Sequence, residues 1–232
     1  MPPLARDRAL LRDIIQWDVS SWKSALVFWE SCLGNVSGAR VLDVGARDGG
    51  ISLYWALRGC EVVCSDLRGP SDAAQELHQR HGVADRVSYA EIDATRMDLP
   101  DGQFDIVCFK SVLGGIGGAC GLEGQQAALN EMHRVLKSGG RLAFAENMDA
   151  SRLHRFLRTR FVKWGARWRY LQVEELQDLL RPFRDARLEF HGFWSALGRR
   201  EWQRTWLHTI DRVIQPLIPN RQRYIVLGCA RK

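Results

Sequence analysis

Val41-Leu42-Asp43-Val44-Gly45-Ala46-Arg47-Asp48-Gly49-Gly50 reads as a buried strand that runs into a glycine turn and then into a helix. That context gives a glycine turn its meaning. Gly45 and Gly49 let the backbone approach a ligand closely, and the helix start beyond them offers unpaired N–H groups and partial positive charge to an anion such as a carboxylate. Asp66 closes the next strand, where a carboxylate accepts hydrogen bonds from both hydroxyls of a ribose. The two features together point to a cofactor containing adenosine. A dinucleotide fingerprint places a second glycine where this chain has Arg47, so that backbone can lie against a pyrophosphate; NAD and FAD are therefore disfavoured. S-adenosylmethionine has no pyrophosphate, and its amino-acid part would meet Asp43 as a partner for its ammonium group.

Outward from this turn, strand and helix patterns alternate from residue 40 to about 147 with short connections, the signature of a doubly wound α/β parallel sheet. The expected elements are strands over 39–45, 61–66, 86–92, 104–110 and 141–146, with helices over 49–57, 71–80 and 121–136. Phe104–Lys110 is nearly continuous in apolar residues, as a central strand buried on both faces should be. Beyond 150 the reading is two helical stretches, 151–164 and 173–181, a strand over 186–194, a helix over 199–216 and a last strand over 223–228. No repeat or Gly/Ser linker interrupts the chain, so it reads as one domain over 39–232 with an N-terminal helical extension, 1–38.

These residues resemble the class I S-adenosylmethionine-dependent methyltransferases, in their small-molecule branch, over residues 39–147. Residues Val41–Gly49 look like the family's first glycine loop, which implies that Asp43, Gly45, Ala46, Arg47 and Gly49 surround the methionine part. Ser65-Asp66-Leu67 is similar to the second motif, with Asp66 on the ribose and Leu67 against the adenine. Ile92-Asp93-Ala94-Thr95 resembles the third, with Asp93 at the adenine amino group and Ala94 at its ring. Leu99–Asp105 and Glu131–Leu142 match later landmarks, and Lys110 is implied as a cofactor contact through its carbonyl. The resemblance further implies a seven-stranded, mostly parallel sheet with an antiparallel last strand, helical insertions after the fifth and sixth strands, and an N-terminal helix over the cofactor with Trp17 or Trp22 near it. Glycine is usual where Arg47 stands; if the turn demands a positive φ there, arginine is strained by about 1 kcal/mol or more.

Methyl transfer from a sulfonium needs positioning above all, and a general base only where the acceptor must lose a proton. Residues past the ends of the fourth and fifth strands, Lys110-Ser111 and Glu146-Asn147, are placed to face ligands. Glu146 and His154 are the candidate catalytic residues; His133 reads as structural. Gly114-Gly115-Ile116-Gly117-Gly118-Ala119-Cys120-Gly121 reads as either a mobile lip of the active site or a permissive connection.

The chain of 232 residues is 46% hydrophobic and 26% charged, ordinary globular composition that excludes a disordered protein. The start lacks a signal-peptide apolar run, which reads as cytoplasmic. The six cysteines read as reduced thiols, and no metal-ligand spacing is present. Net charge is +6, yet residues 151–232 hold 18 Lys/Arg against 7 Asp/Glu. A basic, aromatic amphipathic stretch, 151–169, points to an anionic or lipid-linked small-molecule substrate, or to peripheral membrane contact. Nucleic acid is disfavoured: the Asn/Asp-Pro-Pro-aromatic motif is absent after the fourth strand, and no cysteine follows a proline. The expectation is an S-adenosylmethionine-dependent methyltransferase acting at oxygen or nitrogen of a lipid, isoprenoid or glycan-type acceptor. The alternative is a non-catalytic relative that only binds the cofactor.

Overall fold

A computed structural model describes residues 7–151, 154–156, 160, 167–198 and 200–232. Seven strands make one sheet: β1 (Arg40–Val44), β2 (Glu61–Asp66), β3 (Val87–Glu91), β4 (Phe104–Lys110), β5 (Leu136–Asn147), β6 (Arg184–His191) and β7 (Ile225–Arg231). Their order is β3-β2-β1-β4-β5-β7-β6. The ladders among the first five are parallel, while β7 runs antiparallel to both β5 and β6. β7 is thus the one reversed strand of the sheet, as expected.

The helices are α1 (Arg8–Ile15), α2 (Val19–Leu33), α3 (Gly50–Leu57), α4 (Asp72–Arg80), α5 (Leu113–Val135), α6 (Val173–Leu179) and α7 (Glu201–Ile214). Two apolar layers result. Trp22 and Trp29 of α2 and Trp55 of α3 pack on one face with Val41, Ile106 and Cys108, whereas Leu129 and Met132 of α5 and Leu176 of α6 pack on the other with Leu42, Phe109 and Phe144. A large apolar side chain fully withdrawn from water contributes roughly 1.5–3 kcal/mol, so Trp22 and Trp29 anchor α2, and Trp55 anchors α3, to the sheet. The six cysteines are free thiols. Among the described residues no helix is long and apolar enough to cross a membrane, and no group of side chains could hold a metal ion.

Three expectations need correction. The glycine run 114–121 is not an irregular connection; it forms the first turns of α5, which kinks at Gly121 (φ 67°). Glycine is required there by close approach: a Cβ on Gly118 would lie 1.7 Å from the Arg167 carbonyl oxygen, and one on Gly114 2.4 Å from the Trp168 ring. The last strand runs to Arg231 rather than stopping at Gly228, whose missing side chain leaves room for the Phe144 ring. β5 begins at Leu136, five residues before the expected start. Most of the helical stretch expected over 151–164 lies outside the described residues; His154, Arg155, Phe156 and Arg160 are helical.

Candidate functional site

The carboxyl ends of β1, β2 and β4 open into a cavity of about 900 Å³, within the range of small-molecule pockets. Its floor is the β1–α3 turn. Gly45 (φ 67°) has no room for a side chain, because a Cβ would come within 2.6 Å of Val112. Arg47 does adopt a positive φ, 51°, and its N–H donates to Asp66 Oδ2 at 3.0 Å, so the carboxylate at the end of β2 holds the turn in its strained form. The guanidinium points away to water and to Asp48. Gly49 (φ 73°) is needed for packing against α4, since a Cβ would clash with His78 and Ala74.

Of the residues named from sequence, Asp43, Gly45, Ala46, Arg47, Asp66, Leu67, Asp93, Ala94 and Lys110 line the cavity together. Gly49 does not line it, although Asp48 and Gly50 on either side do. Asp93 accepts from the Thr95 backbone N–H at 2.8 Å and hydroxyl at 2.7 Å, which fixes its side chain at the β3 end.

Asp43 and Lys110 are the two charges on the cavity floor. Asp43 sits opposite Cys108 in the β1–β4 ladder and Lys110 lies two residues beyond, so all three side chains share one sheet face. Asp43 is 1% exposed; burial raises its titration to about 7, against hydrogen bonds from the Ser52 hydroxyl at 2.7 Å and the Cys108 thiol at 3.6 Å. Lys110 is pulled down to about 8 by burial, opposed by the negative charges of Asp43, Asp18 and Glu146. Its ammonium stands 5.2 Å from the centre of the Trp22 ring, a cation–π contact, and no hydrogen-bond acceptor among the described residues reaches it. A half-buried ammonium without an acceptor is a group that an anionic ligand would complete.

The two candidate bases are elsewhere. Glu146 is fully buried on the opposite sheet face and accepts the backbone N–H groups of Val112 at 2.8 Å, Leu113 at 2.7 Å and Asn147 at 2.8 Å. It caps α5, and burial raises its titration to about 7. His154 is 1% exposed; its Nε2–H donates to the Phe193 carbonyl at 2.8 Å and its Nδ1 accepts from the Ser151 hydroxyl at 2.7 Å. Neither lines the cavity.

Sequence reasoning missed Ile14 and Gln16 as lining residues, while Trp17, Ser111 and Asn147, Gly115 and Ile116 of the glycine run, and Trp168 of the 151–169 stretch line it as residues it had marked. Gln16 bears a signal only in three dimensions: its amide donates to the Asp48 carbonyl at 3.1 Å, which ties the α1–α2 corner over the glycine turn.

The profile of a family described as "Methyltransferase domain" matches residues 42–144, the segment that supplies β1 to β5 and most of this cavity. Over that segment the chain matches a methyltransferase domain. It is 39% identical over 108 residues to a malonyl-acyl-carrier-protein O-methyltransferase of Enterobacter lignolyticus, covering 46% of this chain and 38% of that protein. It is 33% identical over 144 residues to a demethylmenaquinone methyltransferase of Beutenbergia cavernae, covering 62% and 54%. The chain thus spans about half the length, or less, of these curated relatives. Among solved structures, the geranyl diphosphate C-methyltransferase of Streptomyces coelicolor A3(2) superposes with a TM-score of 0.65 at 13% identity over 90% of this chain and 76% of that one. The cyclase SpnF superposes at 0.61 with 19% identity over 90% and 80%. At such identities the likeness is one of fold.

Proposed function

We propose that the chain binds S-adenosylmethionine and transfers its methyl group to oxygen or nitrogen of a small molecule. The carrying observation is the order of polar groups along the strand ends. An acid and an ammonium, Asp43 and Lys110, share the cavity floor; Asp66 stands at the end of β2 and Asp93 just past β3. That order suits, in turn, an amino acid's two charges, a ribose diol and an adenine amino group. The fit has two further supports: the Lys110 ammonium lacks an acceptor among the described residues, and Gly45 leaves a gap that a Cβ would fill.

When bound, the cofactor supplies an electrophilic methyl on a sulfonium. The chain's own residues then act by holding. Asp43 and Lys110 orient the amino-acid end, and Trp17, Ile14 and Trp168 exclude water from the cavity wall. Ser111 and Asn147, joined by a hydrogen bond of 2.9 Å, offer polar atoms for an acceptor. Glu146 and His154 are spent on backbone and hydroxyl partners, so this reading assigns neither of them as base.

A lipid, isoprenoid or glycan-type acceptor is favoured by the apolar lining at Ile92, Val112 and Ile116 and by relatives named for malonyl-acyl-carrier-protein and demethylmenaquinone. A cytoplasmic setting agrees with free cysteines, four of them buried. The second reading, a cofactor-binding relative without turnover, is favoured by the placement of the two candidate bases outside the cavity.

Calorimetric titration with S-adenosylmethionine and S-adenosylhomocysteine tests binding, with micromolar affinity as the expected outcome. Incubation with methyl-labelled cofactor and a panel of lipid-linked and glycan acceptors tests turnover. Binding without transfer to any of them would favour the second reading, and no binding would remove both.

A further inference from the structure

The helix α7 is mounted the wrong way round for a helix that serves only the core. Its inward side is anchored by polar contacts. Asp211, 2% exposed, accepts the backbone N–H groups of Phe193 at 3.0 Å, Trp194 at 2.8 Å and Ser195 at 3.0 Å, and the Ser195 hydroxyl at 2.6 Å. The Thr205 and Ser20 hydroxyls meet at 2.8 Å across α7 and α2. Its outward side carries Trp202, Trp206 and Val213, with Leu217 in the short 3-10 turn that follows; these are 65%, 63%, 76% and 84% exposed. They recur at intervals of four, seven and four residues and so form one stripe along the helix. Four large apolar side chains aligned in water mark an interaction surface.

The charges say what covers it. Arg200 and Arg212 are exposed at the two ends of α7, and Lys23 is exposed on the neighbouring α2. Burial lowers the titration of His208 on α7, and the positive charges of Lys23 and Arg212, both near it, lower it further against the opposing charge of Asp211. Asp211, an acid of α7, is buried and consumed. A second copy seated on this stripe by a two-fold axis would set these cations against their own kind. An anionic lipid surface meets both demands, since tryptophans settle at the interface between headgroups and acyl chains while arginines and lysines pair with the headgroups.

The opposite side of α7 reaches the cavity. Arg204 of α7 places its guanidinium 4.9 Å from the centre of the Trp17 ring, and Trp17 lines the cavity. We propose that the exposed face of α7 docks the protein on an anionic bilayer surface. The inference concerns a surface outside the cofactor site, and its test needs no methyl transfer.

The full chain is sedimented with vesicles of phosphatidylcholine alone and of phosphatidylcholine containing phosphatidylglycerol. The expected result is partition onto the anionic vesicles only, weakened in high salt. The Trp202→Ser/Trp206→Ser double variant, changed only at exposed positions, loses at least about tenfold in partition, and Arg212→Ser about fivefold. Thermal melting of each variant at the wild-type temperature shows that the loss is local. The proposal is overturned if wild-type protein stays in the supernatant with both vesicles, or if the double variant sediments as well as wild type. It is equally overturned if sedimentation equilibrium shows a wild-type dimer that the double variant dissolves, because a second copy then covers the stripe.

Discussion

Replacing Lys110 by methionine should stabilise the empty protein and weaken its grip on the cofactor. Methionine keeps an apolar side chain at this position and removes the ammonium that lies over Trp22. Burial brings that ammonium's titration from 10.5 to about 8, which corresponds to a penalty of up to about 3 kcal/mol on the charged form. The sign follows from linkage: below pH 8 the lysine is charged in both the folded and the unfolded chain, and the whole penalty opposes folding. Between pH 8 and 10.5 the folded protein sheds the proton more readily than the unfolded one, and the penalty fades. Urea unfolding should therefore find Lys110→Met more stable at pH 7, by up to about 3 kcal/mol, with the gap narrowing by pH 10. In calorimetry the same variant should lose roughly 1.5–3 kcal/mol of S-adenosylmethionine affinity, the worth of a charged hydrogen bond, and none for 5′-methylthioadenosine, which lacks the amino-acid end. A variant less stable than wild type at neutral pH would refute the reading of Lys110 as an ammonium held without an acceptor. Equal loss for both ligands would refute its place at the amino-acid end.

Asp66→Ala removes both the acceptor for the Arg47 N–H and the carboxylate at the end of β2, and should weaken cofactor binding by about 1–3 kcal/mol in the same titration; wild-type affinity would mean the ribose lies elsewhere. Arg47→Gly relieves the positive φ of 51° and should raise the melting temperature in thermal unfolding by an amount equivalent to about 0.5–1 kcal/mol; an unchanged or lower melting temperature would show that the turn is not strained. Gly118→Ala sets a methyl carbon 1.7 Å from the Arg167 carbonyl oxygen and should destabilise by roughly 1–3 kcal/mol in urea unfolding; a neutral change would contradict the close packing of that segment on α5.

Strands β2 and β4 end where their sequences stop being apolar, and both were legible to the residue, because each is bounded by a turn and buried by helices. The cavity's lining was legible wherever a residue stands at or just past a strand end: Asp43, Asp66, Asp93 and Lys110 meet in one cavity as their order along the chain implies. What sequence could not convey is the side of the sheet. Glu146 follows Ala145 on β5 and so points to the α5 face, where three N–H groups claim it, although its distance from the strand end looked right for catalysis. Glycines misled twice for one reason. Gly118 and Gly228 look like breaks in their elements, yet each makes room for a neighbour that arrives from far along the chain, Arg167 in one case and Phe144 in the other. Likewise Gln16 and Trp168 join the cavity only through tertiary contact.

The position of β7 bears on how the molecule is made. It lies between β5 and β6, pairing with both, and the Lys232 N–H donates to the Gly140 carbonyl at 3.0 Å. During synthesis β6 leaves the ribosome first but has no strand to lie against until residues 225–231 follow it. The five parallel strands and the cofactor turn can assemble earlier, whereas β6 must wait with its edge unpaired, an interval in which a nascent chain is open to chaperones and to misassociation.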